Sequence, residues 1–260
     1  MLRDDFIKHL KASGRSHRTI QLRLYWLTRF EAHYSLQTCS LGDIEAFLAS
    51  GDWSQSTARS VRSSIVVYIE WLYKTGRRED NPTRALGTIK ERPPCPKPLP
   101  DSLYHVALQG ASERVRLMMR LASEAGLRRG EVARVHARDV EDDLLGKSLR
   151  VFGKGGKVRR VPISDSLARA VLNMAQGGYC FEGAIQGHMT EGHVGKLVGD
   201  CLPQGWSMHS LRHRFATRAY HATGDIYAVK ELLGHTSLAT TERYVAQDAG
   251  RLRRVALAAA

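Results

Sequence analysis

IKERPPCPKPLP, residues 89 to 100, carries five prolines in twelve positions. Each proline fixes φ and removes a backbone donor, so the stretch forbids regular helix and favours an extended, semi-stiff connector. It divides the chain into residues 1–88, a linker at 89–100 and residues 101–260. On its N-terminal side the apolar residues recur at helical spacing throughout. Phe6, Ile7 and Leu10 share a face; Ile20, Leu24, Leu27 and Phe30 share a second, with Ser16 or Thr19 placed as N-cap. Ile44, Phe47 and Leu48 follow Gly42 and Asp43. Val61, Ile65, Tyr68, Ile69 and Leu72 form the stripe of the longest helix, which Gly76 ends. Four helices with short connections predict a compact bundle.

Beyond the linker the pattern opens helically, with Asp101 placed to cap one helix and Val115, Met118, Met119 and Ala122 along another. At LRVFGKGGKVRRVPI, residues 149 to 163, the period switches towards two. Val151, Val158, Val161 and Ile163 flank GKGG, which predicts a β-hairpin with a glycine turn. Helical patterns resume from Ser166 and return at 208–222, 225–233 and 237–246. The expected fold is therefore mainly α with a small β element: a four-helix N-terminal domain followed by a mixed, mostly helical one.

Composition bounds the partner. The 260 residues include 39 Lys and Arg against 26 Asp and Glu, a net charge of +13 with a pI near 9.9. The three segments carry +4, +2 and +7 in turn. Such an excess favours a polyanion, because each phosphate neutralised releases condensed counterions. An anionic membrane surface would also suit the charge, but no apolar run approaches the ~20 residues that span a bilayer. MLRDDFIKHL lacks the apolar centre of a signal peptide. Cys39, Cys95, Cys180 and Cys201 are scattered, with no CxxC pair, and are expected to be reduced thiols rather than disulfides or zinc ligands. These features predict a cytoplasmic protein that binds nucleic acid and not membrane.

Four segments carry residues suited to chemistry. MHSLRHRFATRAY, residues 208 to 220, puts His209 and Arg212 on one helical face, with His213 one position on. Histidines four apart suggest a zinc helix, but that motif requires Glu after the first His and here Ser210 stands there. A basic helix facing solvent is the competing reading. AGLRRGE, residues 125 to 131, offers Arg128 with Glu131 three residues later. Either the two form an ordinary surface ion pair, or Glu131 holds an arginine whose planar fork is presented to a phosphate. GKGGK, residues 153 to 157, lacks the spacing and the Ser or Thr of a nucleotide-binding P-loop. Its Lys154 is either a proton donor or phosphate ligand at a glycine turn, or simply solvated. LLGHTSLATTERY, residues 232 to 244, sets His235 and Tyr244 nine positions apart, with a helix whose Tyr244 packs on the core as the competing reading. Two arginines, two histidines, a lysine and a tyrosine suffice for metal-free cleavage of a phosphodiester.

In that order the residues resemble the tyrosine recombinases, the family of phage integrases and Xer-type resolvases. The resemblance rests on Arg, Lys, His-x-x-Arg, His and Tyr, on LRH after His209, on LGH before the tyrosine, and on GKGGK at a hairpin. It implies that Tyr244 is the nucleophile, forming a 3′-phosphotyrosyl link and releasing a 5′-hydroxyl. It further implies that Arg128 and Arg212 clamp the scissile phosphate, and that Lys154, rather than Lys157, protonates the leaving hydroxyl. His209 would handle the tyrosine proton, His235 would hydrogen-bond the phosphate, and Glu131 would support the site from behind. No metal, nucleotide or other cofactor is implied. The implied partners are double-stranded recombination sites, a homotetramer on two duplexes, and an accessory directionality factor.

By the same resemblance residues 1–88 form a core-DNA-binding domain and 101–260 the catalytic domain. The chain resembles the compact form without an arm-binding domain, and the tail VAQDAGRLRRVALAAA is expected to dock on a neighbouring protomer. The location would be nucleoid-associated, or host cytoplasm for a phage-encoded enzyme. The alternatives are a type IB topoisomerase-like relaxing enzyme and a non-catalytic DNA-binding regulator.

Overall fold

The structure, a computed structural model, describes residues 2–89, 96–184, 186–235 and 256–258, with Lys154 described in its backbone only. The chain divides into two compact units, Met1–Pro94 and Cys95–Ala260.

The first unit contains four helices: α1 (Leu2–Ala12), α2 (His17–Glu31), α3 (Leu41–Ala49) and α4 (Gln55–Lys74). Serines start three of them. The hydroxyls of Ser16, Ser40 and Ser54 accept the N–H three residues on, and Ser40 forms a reciprocal capping box with Asp43. Of the two expected caps for α2, Ser16 is the one used; Thr19 is its donor. Phe6, Phe30, Ile44, Val61, Ile65, Ile69 and Leu72 are fully buried at the centre. Each such side chain contributes roughly 1.5–3 kcal/mol by leaving water. Phe6 meets Tyr68 edge-on at 4.8 Å, and Phe30 meets Phe47 at 5.0 Å. A turn of 3₁₀ helix, Pro82–Ala85, follows α4. Arg62 of α4 donates to the carbonyls of Leu86 at 3.1 Å and Gly87 at 3.0 Å, fastening the chain end to the bundle.

The second unit begins with α5 (Asp101–Gly110), α6 (Glu113–Glu124) and the single turn α7 (Arg129–Val132). Asp101 does not cap α5. It is the first helical residue, Pro100 takes the cap position, and the carboxylate instead bridges Arg214 at 2.8 Å and Arg218 at 2.6 Å. Pro100 has no side-chain acceptor for the helix end, and the Asp101 carboxylate, one position too far on to cap, is taken up by two guanidinium groups.

The β element is a three-stranded antiparallel sheet, not a lone hairpin: β1 (Val140–Asp143), β2 (Gly146–Phe152) and β3 (Val158–Ile163), in that order. Residue pairs run from Val140 and Leu149 in the first ladder to Phe152 and Val158 in the second. Gly155 and Gly156 turn the second hairpin with φ of +74° and +75°, a region that favours glycine. Then follow α8 (Asp165–Ala175), the short pair β4 (Glu182–Gly183) and β5 (Gly187–His188), α9 (Glu191–Cys201), α10 (Met208–Thr223) and α11 (Ile226–Leu233).

Helix α6 runs through the middle of this unit against α8, α9 and α10. Val115, Leu117, Met118, Met119, Leu121 and Ala122 are all buried while Glu113, Arg114, Arg116 and Glu124 stay exposed, so the helix is amphipathic with a broad apolar face turned into the core. Leu149, Val161, Val171, Phe181, Val194 and Leu211 complete the core around it. The last part of the proline-rich stretch lies on this unit: Leu99 is buried, and its N–H donates to the Ser210 carbonyl at 3.2 Å. Among the described residues no helix is long and apolar enough to cross a membrane, and Cys39, Cys180 and Cys201 are free thiols.

Candidate active site

Arg212 lies in the first half of α10 with its side chain 1% exposed. Such a charge is tolerated in the interior only with dedicated acceptors. Backbone supplies them: Nη1 donates to the Gly126 carbonyl, and Nη2 donates to the Leu233 carbonyl at 2.6 Å. Gly126 makes this approach possible. Its φ is +65°, and a Cβ there would stand 2.6 Å from the Phe215 ring. Nη2 also lies 3.1 Å from His235 Nε2. Arginine can only donate, so His235 accepts on Nε2 and carries its proton on Nδ1. Burial, then the charges of Arg212 and Arg128, pushes His235 down to about 3. Its position is set by Gly234, which ends α11 in the left-handed region at φ +62°.

Glu131, in α7, is the carboxylate around which the site is arranged. Its Oε2 accepts the Arg128 backbone N–H at 2.8 Å and its Oε1 accepts Arg128 Nη1 at 2.9 Å. Arg159, on β3, grips both oxygens at 2.9 Å and donates through Nε to the Leu232 carbonyl at 2.7 Å. Arg212 Nη1 comes within 3.8 Å of Oε2. Burial alone would raise the Glu131 carboxyl, but the Arg159 hydrogen bonds and charge, with the Arg128 N–H, hold it at about 2. Three guanidinium groups thus share one carboxylate among the described residues. The least covered is that of Arg128, 39% exposed, which also donates to the Gly234 carbonyl at 3.3 Å.

His209 stands one turn before Arg212 and His213 directly after it. Their rings meet edge to face, centroids 4.2 Å apart. His209, although exposed at its surface, is held below its ordinary range by desolvation first and then by Arg212, Arg128 and Arg129. It is therefore neutral and able to accept a proton near neutral pH.

Of the residues singled out in the sequence, Arg128, Glu131, His209, Arg212 and His235 come together in this one cluster. The Lys154 backbone lies in the turn between β2 and β3. That turn approaches the carboxylate, since a Cβ added at Gly153 would lie 3.8 Å from Glu131 Oε1. Tyr244 lies outside the described residues. Sequence reasoning missed Arg159. A signal existed in the strand parity, which sets Arg159, Val161 and Ile163 on the inward face of β3, and an inward arginine needs a carboxylate.

Residues 101–251 match the model of the phage integrase family. Tyrosine recombinase XerC of Chromobacterium violaceum is 32% identical, covering 96% of this chain and 91% of that protein. XerC of Shewanella amazonensis is 30% identical over 85% of this chain and 81% of that one. Among solved structures, a lambda integrase dimer bound to a COC′ core site superposes with a TM-score of 0.77 at 19% identity, covering 94% and 75% of the two chains. XerH site-specific recombinase bound to a palindromic difH substrate does so with 0.73 at 21%, covering 95% and 81%. These two establish the likeness of fold. The chain belongs to the phage integrase family. It is a tyrosine-type site-specific recombinase, and neither the relaxing enzyme nor the non-catalytic regulator is favoured.

Proposed function

We propose that the cluster around Glu131 cleaves and rejoins DNA strands, with Tyr244 as the nucleophile. The tyrosine oxygen attacks the scissile phosphorus in line, the bond to the 5′ oxygen breaks, and a 3′-phosphotyrosyl ester remains. Arg128 and Arg212 stabilise the added negative charge on the non-bridging oxygens, and His235 hydrogen-bonds the same phosphate through Nδ1–H. His209 takes the tyrosine proton, while Lys154 protonates the departing 5′-hydroxyl. One phosphodiester is exchanged for another, so rejoining with a different 5′-hydroxyl draws on no nucleotide. The observation that carries this reading is the convergence of three guanidinium groups on one buried carboxylate, with His235 against Arg212 and His209 one turn before it. Removing one such stabilising donor typically costs about 3 kcal/mol, or ~100-fold in rate.

Double-stranded recombination sites are the proposed substrate. Residues 101–260 act as the catalytic domain, 1–88 as the core-DNA-binding domain, and 89–100 as a basic connector along the duplex backbone. Ser56, Arg59, Ser60, Arg62 and Ser63 of α4 line an open cavity of about 390 Å³. Hydroxyls and guanidinium groups of this kind contact phosphate oxygens and fix a protein's register on a duplex. The lambda integrase and XerH relatives carry DNA in their structures, which supports the same partner class here. The acting form is a homotetramer on two duplexes in the cytoplasm, with a directionality factor setting its outcome.

The test is a nicked duplex carrying the sequence that the wild-type protein selects from a random pool. Wild type should trap a covalent adduct on it. Tyr244→Phe should bind equally and trap none, and Arg212→Ala should lose trapping far more than binding. An adduct formed by Tyr244→Phe would overturn the assignment.

A further inference from the structure

His213 is half-buried beside the site yet has no part in the reaction described above. Its Nδ1 accepts the backbone N–H of Lys97 at 2.8 Å, which places the ring proton on Nε2. Lys97 belongs to the proline-rich stretch, and the contact does not stand alone. The Lys97 ammonium donates to the Gly205 carbonyl at 2.9 Å and lies 4.4 Å over the Trp206 ring. Two residues on, the Leu99 N–H donates to the Ser210 carbonyl. Residues 97–99 therefore straddle the first turns of α10, with contacts before His209 at 205–206 and after it at 210 and 213. His213 is at the same time the ring against which His209 rests.

We infer that His213 is a positioning residue that latches this strap to α10 and, through its ring, fixes the orientation of His209. The inference rests on the proposed role of His209 in moving the tyrosine proton. It follows from two contacts made by one imidazole. An acceptor that must stay unprotonated holds the strap, and the same ring confines the neighbouring histidine in an edge-to-face contact. Loosening the strap would let the His213 ring turn, and the His209 ring would lose its stop. Burial, with His209 and Arg212 nearby, keeps His213 down at about 4, so the acceptor persists across the working range.

Four variants of the full chain test it on the nicked duplex described above. His213→Phe keeps the ring and removes the acceptor; His213→Asn restores an acceptor close to the Nδ1 position. Lys97→Pro removes the donor between two residues that are already proline, and Lys97→Ala removes only the side chain. Adduct formation should slow about tenfold in His213→Phe, the rate equivalent of one such hydrogen bond. His213→Asn should recover to within about threefold of wild type, as expected when the hydrogen bond is remade. At saturating duplex Lys97→Pro should be slow and Lys97→Ala should not; those two should bind the intact duplex alike, since both lose the ammonium, and the two His213 variants should bind it as wild type does. Wild-type rates in both His213→Phe and Lys97→Pro would overturn the inference, as would equal loss of binding and cleavage. The Lys97 pair decides the matter should His213→Phe fail to fold. His209→Ala separates the two readings. If it cleaves normally, the role of His209 itself falls; if it fails while His213→Phe and Lys97→Pro cleave normally, only the latch falls.

Discussion

Arg159 holds Glu131 with both terminal nitrogens, each 2.9 Å from its own carboxylate oxygen. The pair joins β3 to α7, and the remaining Nε ties both to the end of α11. Removing one partner of a buried pair leaves the other charge stranded, at a cost of about 3 kcal/mol. Arg159→Met should lower unfolding stability by about that amount in urea, with Arg159→Lys in between because an ammonium cannot match two oxygens at once. A loss below about 0.5 kcal/mol, the range of ordinary surface changes, would show that the grip does not exist in solution.

Gly126 and Gly14 share nearly the same φ, +65° and +67°, but only Gly126 is crowded. Alanine at Gly14 meets open space and should cost about 1 kcal/mol of backbone strain. At Gly126 the methyl would collide with Phe215 and shift the carbonyl that holds Arg212, so about 3 kcal/mol is expected. Thermal melts of the two variants give the comparison. Equal shifts would place the Phe215 ring elsewhere.

Acid should weaken the fold in two stages. The His213 and His235 side chains are pushed down to about 4 and about 3 from an ordinary 6.5, so the folded state favours their neutral forms. Their contribution is complete above pH 6.5 and is lost as pH falls towards those values, because the unfolded chain then binds the extra protons. Glu131, held at about 2 against an ordinary 4.5, adds a second loss between those limits. Melting temperature should fall from pH 6.5 downward and more steeply below 4.5. A flat profile between pH 7 and 4.5 would contradict the histidine assignments.

If Arg59 contacts a phosphate, Arg59→Gln should weaken binding to any duplex sequence alike. The slope of log affinity against log salt should become shallower by about 0.9, the value of one counterion released. A change confined to particular sequences would instead place Arg59 at a base edge.

Deleting residues 251–260 tests the role expected of the tail. Strand exchange between two duplexes should suffer more than binding to one, as loss of a contact between protomers demands. Equal losses would exclude docking on a neighbour.

Much of this architecture is legible in the sequence. The stripe Val61, Ile65, Tyr68, Ile69 and Leu72 is a long helix with its apolar face inward. β1 escaped notice because three of its four residues are acidic, so Val140 alone carries the inward signal. Three glycines among the eleven residues of α9 blur its periodicity, although Val194 and Val198 keep the spacing of a helical face. Arg128, Glu131, His209, Arg212 and His235 were recognisable because reactive side chains in a fixed order are rare by chance. Arg159 was not, since an arginine in RRV looks like ordinary surface charge until the pleat of β3 turns it inward. The acceptors of Arg212 could not be foreseen at all, because a main-chain carbonyl leaves no mark in the sequence. The Tyr244 expectation, and that for the helix at 237–246, fall outside the described residues.

The end of α11 offers consecutive carbonyls, Leu232 to Arg159, Leu233 to Arg212 and Gly234 to Arg128. Substituting the side chains of Leu232 or Leu233 therefore leaves the three acceptors in place, whereas altering the helix's length does not. Inserting a single residue into α11 would rotate its end by about 100° and carry all three oxygens away from their arginines together. The length of that segment is therefore held by the main chain itself, whatever its exposed side chains are.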